Sequence, residues 1–474
     1  MSRPDPKRKA GTESLVMFRN SQGVEARGTL IHLTRNIAVF EVYNPYSIVQ
    51  LSEVLQDLRI LRGERTIYNG RAVVSNLLPT GLMVICSATL VDPWTELADL
   101  MPGHGLREEL DRFIGEWSTT HAIAPTFRLA VGDLKSFLSE MSRLLQQVDV
   151  ALETNPPKEA GSGLQKLMEE IVPSVAPKVQ ELLAAFEYEA SRIDTEFVAA
   201  HKVFARSELH PLFMCAPFVN RTFNKPLGYA GDYIMVNMML EGSMEGINTY
   251  AKLVNFCCLE QAPVIAHRNR IDLLQRALMA EASRVSGEGR MMRVLDVGCG
   301  PAVEIQRLIR KESISERCEF HLLDFNEQTI NYTREKLASI RKETGRKPRL
   351  VFIQKSIHDL LKEAVRGDTH AYAASYDLIY CAGLFDYLGD RVCRRLLQLF
   401  YHWVLPGGLL IATNVHPSNS IRHFMEHISE WNLIYRDQET IRAMSPQPHC
   451  RVYSDPTGVN VFLEVRKENQ DSRR

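Results

Sequence analysis

Between Glu25 and Val91 the chain carries short, β-branched apolar runs, ARGTLIHL, NIAVFEVY, LRILRG, GRAVVSNL and GLMVICSATL. Turn residues such as Asn44-Pro45 and Pro79-Thr80-Gly81 separate them. This texture predicts about five or six strands in a short span, which suits a small barrel. The period then changes. Phe127, Val131, Leu134, Leu138, Met141, Leu145, Val148 and Leu152 recur at alternating spacings of four and three, a seven-residue repeat. After a polar break at Thr154–Gly163, the same spacing returns in Val179, Leu183, Phe186, Ala190, Ile193 and Phe197. Two long helices with narrow seams and a short connection predict an antiparallel helical hairpin. One hairpin does not bury two seams completely. They are expected to meet a second copy of the chain, giving a homodimer; the alternative is packing on the barrel and C-terminal domain of the same chain.

From about residue 290 strands and helices alternate. Arg293–Val297 is a short apolar strand that runs through Gly298-Cys299-Gly300-Pro301 into a helical stretch, IQRLIRKE. Glycines between a strand and a helix bring backbone N–H groups and a helix N-terminus beside a ligand, because no side chain blocks the approach. The next strand, Phe320–Leu323, ends in Asp324, a carboxylate placed to accept both hydroxyls of a ribose. The third glycine of a dinucleotide fingerprint is replaced by Val303, which argues against NAD. Leu350–Gln354 and Tyr376–Tyr380 read as the third and fourth strands, and Leu405-Pro406-Gly407-Gly408 turns into the fifth, LLIATNV. RVYSDPTGVNVFLEV then reads as a terminal hairpin, a topology unlike that of a dehydrogenase.

The chain has 474 residues, enough for several domains. The division expected is a disordered polar tail over 1–14, a barrel over 15–100 and a helical domain over 101–215. A loop-and-helix lid over 216–264 and an α/β domain over 265–474 complete it. Lys+Arg 56 against Asp+Glu 57 gives a net charge of -1, without the basic excess of a nucleic-acid binder. No apolar stretch is long enough for a membrane span, and MSRPDPKRKAG is not a secretory signal. The nine cysteines are scattered, with no CxxC or Cys/His spacing for a metal. A cytoplasmic protein without a metal site is expected.

The barrel region resembles a PilZ domain, the bacterial cyclic-di-GMP receptor. The position of its D/N-x-S-x-x-G motif reads His32-Leu33-Thr34-Arg35-Asn36-Ile37, lacking the first acidic or amide residue and the closing glycine, and no RxxxR precedes it. The resemblance is therefore one of shape, for an interaction or regulatory module. Residues 265–466, with D-V-G-C-G-P, the strand-end Asp324 and L-P-G-G, resemble the class I S-adenosylmethionine-dependent methyltransferases. The resemblance implies S-adenosylmethionine as cofactor. Gly298 and Gly300 would lie against its methionine portion, and Asp324 would take the ribose. Asp296 would face the ammonium or brace the turn. Ser356 and Ile357 would flank the adenine, with Cys381 at the end of the fourth strand. Glu304 is read as a cap of the first helix turn, with assistance at the methionine end as the alternative.

Two further segments, Asn224-Lys225-Pro226-Leu227-Gly228-Tyr229-Ala230-Gly231-Asp232-Tyr233 and Trp431–Arg436 (WNLIYR), are similar to one bacterial subfamily. Its members are the extracellular factor 3-hydroxypalmitic acid methyl ester biosynthesis methyltransferases. That likeness implies methylation of the carboxylate of a 3-hydroxy fatty acid to a quorum-sensing ester. A carboxylate is already nucleophilic at neutral pH, so positioning and exclusion of water are the task. Candidates to orient it are Tyr229, His416 and Arg436, with Tyr387, Asn414 and Tyr435 lining the acceptor. Tyr229 and Asp232 are alternatively a lid. Two other readings stay open. One is a methyltransferase for another small molecule or a protein side chain, with His416 as base; the other is a regulatory protein that only binds S-adenosylmethionine.

Overall fold

The computed structural model describes residues 14–34, 36–44, 48–62, 65–80, 83–92, 107, 110–111, 114–115, 122–154, 162–242, 244–367 and 374–468. The tail expected to be disordered, apart from Ser14, lies outside these residues, as do Arg35, Pro45 and Gly81. Six antiparallel strands form a closed barrel: β1 (Ser14–Arg19), β2 (Glu25–Leu33), β3 (Ile37–Tyr43), β4 (Val54–Arg62), β5 (Arg65–Pro79) and β6 (Met83–Leu90). Their order is β1-β2-β3-β6-β5-β4, and pairing of β1 with β4 closes the ring, which leaves no open sheet edge. Alternate residues fill the interior, Ala38, Phe40 and Val42 from β3 and Val84, Cys86 and Ala88 from β6. Strand β1, SLVMFR, is absent from the runs read in the sequence. Together with Leu227–Tyr229 the barrel is one compact unit, and residues 116–226 and 230–474 are the other.

The second unit opens with α1 (Pro125–Thr154) and α2 (Ser162–Ala190). The rings of Phe127 and Phe186 lie 5.3 Å apart, so the start of α1 meets the end of α2 and the pair is antiparallel. Helix α2 begins well before Val179 and runs through Pro173 and Pro177. It ends at Ala190, so Ile193 and Phe197 belong to the turn and short 3₁₀ segment beyond it. Next come α3 (Val198–Phe213), α4 (Pro217–Asn224), α5 (Tyr233–Glu241), α6 (Thr249–Leu259) and α7 (Ala262–Gly287). The seam residues of α1 and α2 share one core with α3, α6 and residues of the C-terminal domain, among them Val415, Phe424, Met425 and Leu433. Phe424 lies 6.3 Å from Phe186 and 5.0 Å from Phe213, edge-on to both. The seams are thus covered within the chain, and the face expected to pair with a second copy is already occupied.

Helix α7 feeds a βα series: β7 (Met292–Val297), α8 (Val303–Lys311), β8 (Cys318–Asp324), α9 (Glu327–Thr344), β9 (Arg349–Gln354), α10 (Ile357–Arg366), β10 (Tyr376–Cys381), α11 (Asp390–Trp403) and β11 (Val404–Val415). Two short helices, α12 (Arg422–Ile428) and α13 (Gln438–Arg442), precede the hairpin of β12 (Arg451–Ser454) and β13 (Asn460–Arg466). The sheet order is β12-β13-β11-β10-β7-β8-β9. Strands β7 to β11 are parallel, β13 runs antiparallel to β11, and β12 antiparallel to β13. Helices cover both faces, which is why all of β10 is buried. From β7 the chain adds strands first on one side and then on the other. The crevice of such a sheet opens at the carboxyl ends of the two strands flanking that reversal, β7 and β10. Among the described residues, no helix is long and apolar enough to cross a membrane.

Candidate active site

The turn after β7 has Gly298 at φ +73° and Gly300 at φ +50°, a region that side chains disfavour. The N–H groups of Gly298 and Cys299 donate to the carbonyl of Leu323, 2.8 and 3.0 Å away, and fasten the turn to β8. A Cβ built on Gly300 would meet nothing within 4 Å, so space opens above the turn. Asp324 faces it and accepts from the N–H of Gly300 at 3.2 Å and of Asn326 at 2.9 Å. Burial pushes its carboxyl up to about 6, against the pull of those backbone donors.

Asp296, at the end of β7, is buried, and its Oδ2 has no hydrogen-bond partner. Glu304 in the first turn of α8 is also buried and accepts from the hydroxyl of Tyr380 on β10, 2.7 Å away. Burial, then the charge of Glu304, raises the Asp296 carboxyl well above its ordinary value; burial raises Glu304 as well. Glu304 turns inward to this cluster rather than outward as a simple helix cap.

These features fit S-adenosylmethionine. The open cradle over Gly300 admits a backbone-hugging chain, Asp324 has lone pairs left for a diol, and the orphaned Oδ2 of Asp296 suits an ammonium. Ser356 follows β9 by two residues and caps α10. Its Oγ accepts from the N–H of Asp359 at 3.1 Å and donates to that carboxylate at 2.6 Å, while Ile357 follows, buried. Cys381 is fully buried at the end of β10.

Around the acceptor end the candidates separate. Arg436 is buried and spends all five N–H donors on Asp390, Asn414 and the carbonyls of Phe385 and Leu388. It has none left for a carboxylate and clamps segment 385–390 to β11. Asn414 is likewise saturated: its amide donates to the carbonyls of Val415 and Ile434, and its oxygen accepts from Arg436. His416 is half-buried, with Nδ1 2.8 Å from the hydroxyl of Ser418. Tyr387 is half-buried, and its Oη accepts from the indole N–H of Trp431 at 2.9 Å. Tyr435 lies under the guanidinium of Arg422, 4.5 Å from ring centre to Cζ. Tyr229 groups with the barrel unit.

Asp232 caps α5 by accepting from the N–H groups of Ile234 and Met235, and it pairs with Arg221 at 2.9 Å. Gly231 just before it packs on Tyr387: a Cβ there would lie 3.1 Å from the phenol oxygen. Helix α5 in turn reaches α9, where the ring of Tyr233 lies 4.6 Å from that of Tyr332, tilted by 32°, and Asn237 donates to the Tyr332 hydroxyl at 2.8 Å.

Two residues were not read from the sequence as part of the site. Arg270 of α7 is buried, with Nη2 2.7 Å from Nδ1 of His267. Asp386, after β10, accepts from the N–H of Val415 at 2.7 Å, and burial pushes its carboxyl up to about 6. A signal for Arg270 existed. Val264, His267, Ile271, Leu274 and Leu278 are spaced as one helical face, and Arg270 lies three residues from His267 on it.

Residues 288–459 match the family model of a methyltransferase domain. With the glycine turn, the strand-end carboxylate and the sheet order above, this makes the chain an S-adenosylmethionine-dependent methyltransferase. No curated protein matches the sequence. Among solved structures, a protein of Bordetella parapertussis described as a possible exported protein is 16% identical. That alignment covers 62% of this chain and 97% of that one, with a TM-score of 0.41. The magnesium protoporphyrin IX methyltransferase of Synechocystis PCC 6803 is 12% identical over 43% of this chain and 84% of that one, with a TM-score of 0.32. An N-methyltransferase of Bradyrhizobium japonicum WM9 is 14% identical over 40% and 86%, with a TM-score of 0.27.

Proposed function

We propose that the protein methylates the carboxylate of a 3-hydroxy fatty acid, giving the kind of methyl ester signal made by the subfamily its flanking motifs resemble. The observation that carries this reading is the aromatic wall at the open end of the sheet. Tyr387, Trp431 and Tyr435 are half-buried and pack on an apolar cluster that includes Met235, Met239, Phe424 and Leu433. Such a wall suits an acyl chain. When bound, S-adenosylmethionine supplies an electrophilic methyl group on its sulfonium, which an ionised carboxylate attacks without first losing a proton. The chain's own work is to hold and orient. Gly298 and Gly300 leave room for the methionine portion, Asp296 receives its ammonium, Asp324 takes the ribose, and Ser356 and Ile357 border the adenine. Gly231 and α5 close over Tyr387 and exclude water. The barrel is read as a degenerate PilZ-like regulatory module.

A second reading has its own observation. Asp386, with its carboxyl near 6, is tuned as a general base for a hydroxyl or amine acceptor. The test is incubation of purified protein with methyl-labelled S-adenosylmethionine and a panel of 3-hydroxy and unsubstituted fatty acids, read by mass spectrometry. Labelled methyl esters that vanish in Asp324→Ala support the first reading. Cofactor binding without any labelled ester removes it and leaves another acceptor or a regulator.

A further inference from the structure

Arg270 is at least nine-tenths buried, yet among the described residues its guanidinium has one hydrogen-bond partner, a nitrogen of His267. Its Nε has none. No carboxylate of the described residues lies within ion-pair distance of it. Asp386 and Glu304 act on it only through their charge from further away. His267 does not neutralise it, since burial, then the charge of Arg270, holds that imidazole well below its ordinary value, uncharged. A buried guanidinium keeps its proton, and a buried charge left without a partner is costly. Its position supplies a reason to bear that cost. The guanidinium lies on Gly383, just past the carboxyl end of β10 and beside the crevice, with Asp386 and Tyr387 near it. A planar fork with free N–H groups in such a place matches a carboxylate.

We propose that Arg270, oriented by His267, is a carboxylate-binding subsite of the crevice. Two carboxylates come to this place, that of the cofactor's methionine portion and that of the acceptor. The acceptor arm rests on the fatty-acid reading above, and the cofactor arm does not. The neutral imidazole accepts one N–H and leaves the rest of the fork facing the ligand. Arg270 is therefore a binding residue, and His267 a positioning residue that acts through it.

Calorimetry on the full-length protein distinguishes the two sources. S-adenosylhomocysteine and its decarboxylated counterpart are titrated into wild type, Arg270→Lys and Arg270→Gln, each checked for folding by circular dichroism. If the cofactor carboxylate sits here, wild type prefers the carboxylated ligand by about tenfold to a hundredfold, and Arg270→Gln abolishes the preference. If the acceptor carboxylate sits here, the preference survives, and the affinity of the protein–S-adenosylhomocysteine complex for 3-hydroxypalmitate falls by a similar factor. Retention of both in a folded Arg270→Gln overturns the proposal. Where Arg270→Gln fails to fold, Arg270→Lys carries the test: it keeps the charge but not the fork, so the cofactor preference or the fatty-acid affinity falls in it, and retention of both overturns the proposal. Should wild type bind no fatty acid, the fatty-acid reading fails and the subsite stands or falls on the cofactor ratio alone.

Discussion

The guanidinium of Arg270 fills the space that a side chain at Gly383 would need: a Cβ at position 383 would lie 2.8 Å from Nη1 and 3.1 Å from Nη2. The backbone there has φ +93°, which side chains rarely adopt. Gly383→Ala therefore carries a conformational strain of about 1–3 kcal/mol and also displaces the guanidinium. Gly289, at φ +75° and with open space where a Cβ would stand, isolates the first effect. Thermal unfolding is expected to show both Ala variants destabilised, whereas methyl transfer drops only in Gly383→Ala. Equal activity in the two variants would show that the contact does not matter to the site.

Asp324 makes a prediction with two signs. Its carboxyl is raised to about 6 in the folded protein, above the ordinary carboxylate value. The ligand-free fold therefore gains stability from this group below the unfolded value and loses it as pH rises through about 6. Ribose hydroxyls need the ionised acceptor, so cofactor affinity runs the other way. Titration with S-adenosylhomocysteine should weaken by about tenfold between pH 7 and pH 5, following the ionised fraction. In Asp324→Asn the slope disappears and affinity falls by about tenfold or more at pH 7. A pH-independent wild type would count against Asp324 as the ribose acceptor.

The two carboxyls of Asp296 and Glu304, both raised by burial, give a separate readout. An ammonium brought to the unpaired Oδ2 favours the ionised form of both carboxyls, so binding shifts them towards proton release. At pH 8, where Asp324 is already ionised, binding enthalpies of S-adenosylhomocysteine in buffers of different ionisation heat should differ by the release of up to about one proton. Asp296→Asn reduces that release. Identical enthalpies in all buffers would place the ammonium elsewhere.

Much of this was legible in the chain. The glycine turn, Asp324 and the strands around them follow from local pattern, because a buried parallel strand announces itself as a run of apolar residues between glycines. The seven-residue seams marked α1 and α2, but not what they face: periodicity shows which stripe is apolar, and only the fold shows that Phe424 and its neighbours cover it. The first half of α2 carries Pro173 and Pro177, residues that ordinarily break a helix, so its extent back to Ser162 does not show in the pattern. Arg436 was expected to orient the acceptor and Arg270 was not read as part of the site, both for one reason. An arginine's partners are spread over distant segments, and Asn414, Asp390 and Phe385 are all far from Arg436 in sequence.

The saturation of Arg436 yields the last expectation. Its guanidinium joins β11 through Asn414 to the segment from Phe385 to Asp390, the stretch that carries Asp386 and Tyr387. Arg436→Ala leaves the amide oxygen of Asn414 without its donor, worth about 1–3 kcal/mol, and removes the guanidinium's bonds to the carbonyls of Phe385 and Leu388 and to Asp390. Such losses exceed what a residue that merely touches an acceptor would cost the fold. Arg436→Lys restores one charge but not the fork, so it recovers only part of the stability. Both variants are expected to unfold at markedly lower temperature, Ala more than Lys. In the folded fraction, S-adenosylhomocysteine affinity stays near the wild-type value, because Gly300, Asp296 and Asp324 hang from β7 and β8 rather than from this clamp. A variant with unchanged unfolding temperature but a raised KM for the acceptor would instead make Arg436 a ligand-binding residue.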